Sequence, residues 1–135
     1  MIQAETEFHI EFYDCDPMNV VWHGNYFRFF EAARRALLDK LRYGYSEMER
    51  KGCVFPVIKT SAKFIQSFKL DDVVRAKATL TEYETCIKIK YELFNAKTGT
   101  LYTKGESTQM AFDVKSNQSL FACPDDFVQR VKSLL

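Results

Sequence analysis

Asn25-Tyr26-Phe27-Arg28-Phe29-Phe30-Glu31-Ala32-Ala33-Arg34-Arg35-Ala36-Leu37-Leu38-Asp39-Lys40-Leu41 reads as one helix, too apolar to lie open at a protein surface. Tyr26, Phe29, Phe30, Ala33, Leu37 and Leu41 recur at helical spacing, while Arg28, Glu31, Arg34, Arg35 and Asp39 take other positions. Phe27 and Leu38 widen the apolar surface beyond a narrow stripe, so much of the helix's girth must be covered. Asn25 stands where an N-cap belongs, and Gly44 where a helix stops. Ser46 and Glu49 then fit the capping box of a short second helix ending near Gly52.

On both sides of these helices the pattern becomes that of strands. Glu5 to Phe12 reads as a strand before the long helix. After it, Ile58, Thr60, Ala62 and Phe64 alternate with Lys59, Ser61 and Lys63. Val74, Ala76, Ala78 and Leu80 alternate with Arg75, Lys77 and Thr79, and Ile87, Ile89, Tyr91 and Leu93 with Lys88, Lys90 and Glu92. Period two with one apolar face is the mark of an antiparallel sheet. Asn95 to Gly99 reads as a turn into a less regular strand over Leu101 to Asp113, and Ser116 to Gln118 as a further turn. Asp125 to Leu134 reads as a terminal helix with acids in its first turn. One long apolar helix among antiparallel strands predicts an α+β fold in which a single curved sheet wraps the helix. The 135 residues fit one domain, 1–135, with no linker or repeat.

Composition narrows the function. Hydrophobic residues make up 47% and charged residues 27%, the balance of a globular protein. Lys and Arg total 19 against 18 Asp and Glu, so no global field draws the chain to nucleic acid or an anionic membrane. No segment approaches the ~20 apolar residues of a membrane span, and residues Met1 to Glu11 lack the apolar core of a signal peptide. The expected compartment is the cytoplasm. Cys15, Cys53, Cys86 and Cys123 lie far apart without metal-ligand spacing, which suits reduced and mostly buried thiols.

Side chains with chemical potential crowd into the loop before the long helix: Asp14, Cys15, Asp16, Asn19, His23 and Asn25. A helix N-terminus offers free N–H groups and partial positive charge, which can stabilise the oxyanion formed when a carbonyl is attacked. A carboxylate and an imidazole beside it make an acyl-transfer site.

The run from Tyr13 through Asp16, Val20, Val21, Trp22, His23 and Asn25 to Tyr26, followed by Phe29-Phe30-Glu31-Ala32-Ala33-Arg34, resembles the signature of the 4-hydroxybenzoyl-CoA thioesterase family. The resemblance covers nearly the whole chain. It implies the hot-dog fold, dimers or tetramers with active sites at subunit interfaces, and hydrolysis of acyl-CoA thioesters without metal or redox cofactor. Members often carry Gly where this chain has Asn19, a residue that tolerates left-handed backbone.

Matched position by position, the resemblance makes Asp16 the catalytic carboxylate, as nucleophile or general base. It makes His23 the oxyanion donor through its N–H, with an assisting imidazole. Trp22, Tyr26, Val57, Lys59, Ser61 and Lys63 are the expected substrate contacts, the last four from a strand that passes the neighbouring subunit's site. Lys59 and Lys63 are preferred for the CoA phosphates over Lys88, Lys90 and Lys104.

Each residue also has a plainer reading. Asp-Pro commonly opens a turn, and His23 could simply bond within the loop. Cys15 should face away from Asp16, as neighbours in extended chain do, and serve as a small hydrophobe. Asp14 and His9 read as structural, and Glu31 as an ion-pair partner of Arg34 at i,i+3. An acyl carrier protein in place of CoA, or a non-catalytic acyl-CoA-binding module, are the competing functions. The hydratase branch of the fold ranks below both.

Overall fold

A computed structural model describes residues 1–135. In chain order its elements are strand β1 (Gln3–His9), helices α1 (Tyr26–Lys40) and α2 (Tyr45–Lys51), strands β2 (Cys53–Val54), β3 (Val57–Phe64), β4 (Val73–Glu82), β5 (Ile87–Asn95), β6 (Leu101–Gln109), β7 (Phe112–Asp113) and β8 (Gln118–Ser119), and helix α3 (Asp125–Lys132). Five strands form an antiparallel sheet in the order β1-β4-β5-β6-β3. The alternating apolar residues of β4 and β5 are buried on its inner face, where α1 packs across β1, β4 and β5.

Ring packing fixes how the helix sits. Phe30 stacks on Tyr91 with centroids 4.7 Å apart. It also lies flat on Gly105, where an added Cβ would come within 2.3 Å of the ring. At the other flank Phe29 meets Phe8 of β1 at 5.0 Å. The helix is therefore keyed to both sides of the sheet by aromatics that its own periodicity projects.

Several local expectations are corrected. β1 ends at His9 rather than Phe12, because Ile10 turns its N–H to the Asp72 carbonyl and Phe12–Asp14 winds into a 3-10 turn. α1 ends at Lys40, and Arg42, not Gly44, takes the left-handed position with φ of 55°. The Arg42 carbonyl accepts the Arg130 guanidinium at 2.7 Å, a tie to α3 that no local pattern announces. Gly44 is instead the N-cap of α2, which leaves Ser46 inside the helix and no capping box. Gly52, with φ of 71°, ends α2 as expected.

The single expected sheet is two. The irregular stretch after Leu101 divides at Met110, whose N–H goes to the Pro56 carbonyl, and β7 joins β2 and β8 in a small second sheet. Strand β3 also departs from expectation. Its alternation should bury one face, yet only Ala62 is even half-buried, because α1 meets this edge only where Tyr26 packs on Phe64. No helix is long and apolar enough to cross a membrane.

Candidate active site

The loop from β1 to α1 is a compact hairpin. Cys15 bridges Val21, and the Asp16 N–H donates to the Val20 carbonyl at 2.9 Å. The Asn19 N–H returns to the Asp16 carbonyl, also at 2.9 Å, and closes the reversal. Asn19 has φ of 64°, the left-handed conformation for which Asn is among the best substitutes for Gly. Val20 bridges Lys69, and the Val21 N–H donates to the Phe68 carbonyl, so the hairpin is fastened to the segment after β3.

Asp14 is the anchor of this loop. It is 2% exposed, pairs with the Arg28 guanidinium, and accepts the Glu11 N–H at 2.9 Å. Its carbonyl accepts both the Trp22 N–H and the Asn25 side-chain amide. Asn25 thus ties the two ends of the loop together and does not cap the helix with its side chain, as its position suggested. The structural reading of Asp14 fits this geometry.

Asp16 is held differently. It is half-buried, and its Oδ1 accepts the Met18 N–H at 2.8 Å, which fixes the side chain in a local turn. No cation pairs with it. It borders a cleft of about 460 Å³ together with Phe12, Cys15, Pro17, Asn19 and Leu70. Phe12 is 81% exposed beside it, an apolar wall without cover.

Cys15 shares this cleft, against the expectation that it faces away from Asp16. The 3-10 turn and the tight reversal on either side break the extended alternation on which that expectation rested. Burial first, and then the charges of Asp14 and Asp16, push the Cys15 thiol up, which disfavours the thiolate that a nucleophile needs.

Helix α1 is preceded by a 3-10 turn, His23–Asn25. The N–H groups of His23 and Gly24 have no acceptor within the chain, which leaves two donors free at the positive end of the helix. His23 is exposed and lies against the Trp22 ring, centroids 5.2 Å apart. Trp22 is 51% exposed and folds over Gly24, where a Cβ would stand 2.3 Å from the indole.

Tyr26 is corrected outright as a substrate contact. It is 2% exposed, its hydroxyl accepts the Phe68 N–H at 3.2 Å, and its ring packs edge-on to Phe64. Burial pushes its phenol up, and it serves as a beam beneath the loop. Val57, Lys59, Ser61 and Lys63 are exposed on β3, but none of them lines the Asp16 cleft. Lys59 and Ser61 share a groove with Lys88, and Lys63 shares one with Lys90 and Lys104. Glu31 is exposed and makes no ion pair with Arg34, whose guanidinium reaches the Tyr91 hydroxyl instead. All four cysteines are free thiols.

Sequence reasoning passed over Phe12 and Leu70 as cleft walls. The adjacent exposed aromatics Phe12 and Tyr13 were a usable signal, whereas Leu70 arrives through a long-range bridge. A more apolar pocket of about 360 Å³ lies between α2 and β2, lined by Tyr45, Met48, Val54 and Phe55 among others. Tyr45, at the start of α2, and Glu49 border it, while Asp16 lies in the other cleft.

Comparison with known proteins identifies the family and the fold. Residues 10–131 match the model of the thioesterase-like superfamily. A 4-hydroxybenzoyl-CoA thioesterase of Pseudomonas sp. is 35% identical over 82 residues, which cover 58% of this chain and 53% of that one. The crystal structure of a DHNA-CoA thioesterase from Staphylococcus aureus superposes with a TM-score of 0.86 at 29% identity, covering 99% of this chain and 93% of that one. A second Staphylococcus aureus protein, solved in complex with CoA, has a TM-score of 0.87 at 17% identity, covering 98% and 85%, and attests the fold alone. The helix wrapped by an antiparallel sheet is the hot-dog fold.

Proposed function

This chain belongs to the thioesterase-like superfamily, and on that premise we propose that residues 1–135 act as one domain hydrolysing an acyl-CoA thioester to free acid and CoA. The observation that carries the proposal is the pairing of an uncompensated carboxylate, Asp16 in an open cleft, with a loop that ends in two free N–H donors at His23 and Gly24. The carboxylate supplies the attack and the helix terminus supplies the oxyanion site.

Two routes use the same groups. As nucleophile, Asp16 bonds to the carbonyl carbon, the C–S bond breaks, and the CoA thiolate leaves and takes a proton. Water then hydrolyses the resulting anhydride and returns the carboxylate. As general base, Asp16 takes a proton from water while the hydroxide adds, and that proton reaches the departing sulfur. In both, the His23 and Gly24 N–H groups bind the oxygen as it becomes negative. The His23 imidazole assists the leaving thiolate, and Trp22 borders the reacting group. Neither route needs a metal or redox cofactor.

The rest of the substrate is assigned to a neighbouring subunit in a homodimer or homotetramer. Val57 and Ser61 would flank the arm of CoA, and Lys59 and Lys63 its phosphates. An acyl carrier protein is the second reading, favoured by the lysine-rich grooves of the outer sheet face, which suit an acidic partner. We assign the enzyme to the cytoplasm. The test is release of free thiol from a panel of acyl-CoAs by the wild type and by Asp16→Asn. The variant should lose about 100-fold or more in kcat while keeping its fold, and near-wild-type turnover would end the assignment.

A further inference from the structure

We propose that Lys63, Lys90 and Lys104 form a diphosphate-binding site on the outer face of the sheet, the side away from α1. The reading above gives Lys63 to the phosphates of a neighbouring subunit's substrate. The inference goes beyond it by joining Lys90 and Lys104 to that lysine, and by opening the site to a diphosphate that carries no acyl group.

The register of the sheet singles out the place. Lys77 of β4 faces Glu5 on one side and Glu92 on the other, Glu92 also faces Lys104, and Glu106 faces Lys90. Glu7 faces Arg75, and Glu82 faces Lys88. Every charged pair in register across the five strands is thus of opposite sign except one: Lys63 of β3 lies directly opposite Lys104 of β6. Like charges so placed destabilise a sheet, while opposite ones support it. No carboxylate comes within ion-pair distance of Lys63, Lys90 or Lys104, so nothing within the chain relieves the repulsion.

The three lysines also share a groove of about 340 Å³, lined by Ser61 and Glu106 among others. Pockets that hold small ligands begin at roughly this size. Lys104 and Glu106 are exposed on β6 and alternate with Thr103, Gly105 and Ser107, which are buried on the inner face where Phe30 lies on Gly105. The groove therefore opens away from the helix, and it shares no residue with the Asp16 cleft. Glu106 offsets one lysine and leaves the groove two positive charges in excess, with a serine hydroxyl as a further donor. Lysine ammonium groups bind phosphate as point charges, each with three donors. An anion of two or more charges between Lys63 and Lys104 turns the one repulsive pair of the sheet into a clamp. A free nucleotide and CoA itself both present such a diphosphate.

The test is calorimetric titration with inorganic pyrophosphate at low salt. The wild type should bind, and Lys104→Gln and Lys90→Gln should each weaken binding by about tenfold or more. Lys77→Gln, which removes a lysine flanked by acids on the same face, should change the affinity by less than about twofold. Lys63→Glu makes the alternation of sign continuous from β3 to β1. It should abolish binding and yet raise the melting temperature in phosphate-free buffer by about 1–4 °C. A wild type that does not bind, or equal losses in Lys77→Gln and Lys104→Gln, overturns the proposal. So does a Lys63→Glu protein that still binds or that melts lower, and so does a triglutamate peptide that binds as tightly as pyrophosphate. Titration with ADP in the presence of acyl-CoA decides the carrier: competition assigns the site to the substrate's own diphosphate, and binding without competition to a free nucleotide. Asp16→Asn should lose turnover and keep its affinity for pyrophosphate, so this inference and the catalytic reading fail separately.

Discussion

The two edges of the sheet are finished in opposite ways. Strand β1 alternates half-buried and exposed residues, with Phe8 under α1 and the carboxylates Glu5 and Glu7 outside. Glu5 pairs with Arg75 of β4 at 3.2 Å. Strand β3 is exposed almost throughout and mixes lysines with Val57, Ile58 and Phe64. A charged, helix-backed edge resists further pairing, while an apolar, unbacked one invites it. The chain thus backs one edge of its sheet with its own helix and leaves the other edge largely uncovered.

That contrast predicts where substitutions act. On the covered side, Phe30→Ala should cost about 3–5 kcal/mol of stability, read as a fall in the denaturant midpoint, because a stacked core ring leaves a cavity between Tyr91 and Gly105. A cost near that of a surface change would mean that the helix is not keyed to the sheet as described. In the Asp16 cleft, the ~100-fold loss expected of Asp16→Asn should come with an unchanged midpoint, since the side chain supports only a local turn.

Smaller effects sharpen the division. His23→Ala should lower kcat by ~10-fold, less than Asp16→Asn, because the N–H donor survives the change of side chain. Equal inactivity of the two variants, with both folded, would make the imidazole itself essential. Asn19→Ala should cost about 1 kcal/mol, the penalty of a left-handed backbone, whereas Asn19→Gly should be tolerated. Thermal melts of the pair check this, and equal melting points would refute the role given to the Asn.

What could be read beforehand was what local pattern carries. Period 3.6 marked α1, and period two marked β4 and β5, because their buried faces are continuous along the chain. The chemical loop was legible because its acids, His23 and the helix onset are sequence neighbours. What escaped depends on distant groups. Tyr26 is buried by Phe64 and Phe68, and Arg42 turns left-handed where Arg130 holds its carbonyl. Strand β3 has the alternation of a half-buried strand, and whether a helix covers it is a tertiary fact its own residues do not contain.

Cys15 gives the cleft a redox character. Every turnover proposed here would release a free thiol into a cleft that Cys15 also lines. Were an external oxidant such as peroxide to convert that thiol to a CoA disulfide, the protein sulfur could displace one CoA thiolate and form a mixed disulfide, but only a thiolate attacks a disulfide. Burial and the neighbouring charges of Asp14 and Asp16 keep the thiolate scarce. The carboxylate that would cut the thioester therefore also disfavours the form of the adjacent sulfur that such an exchange requires.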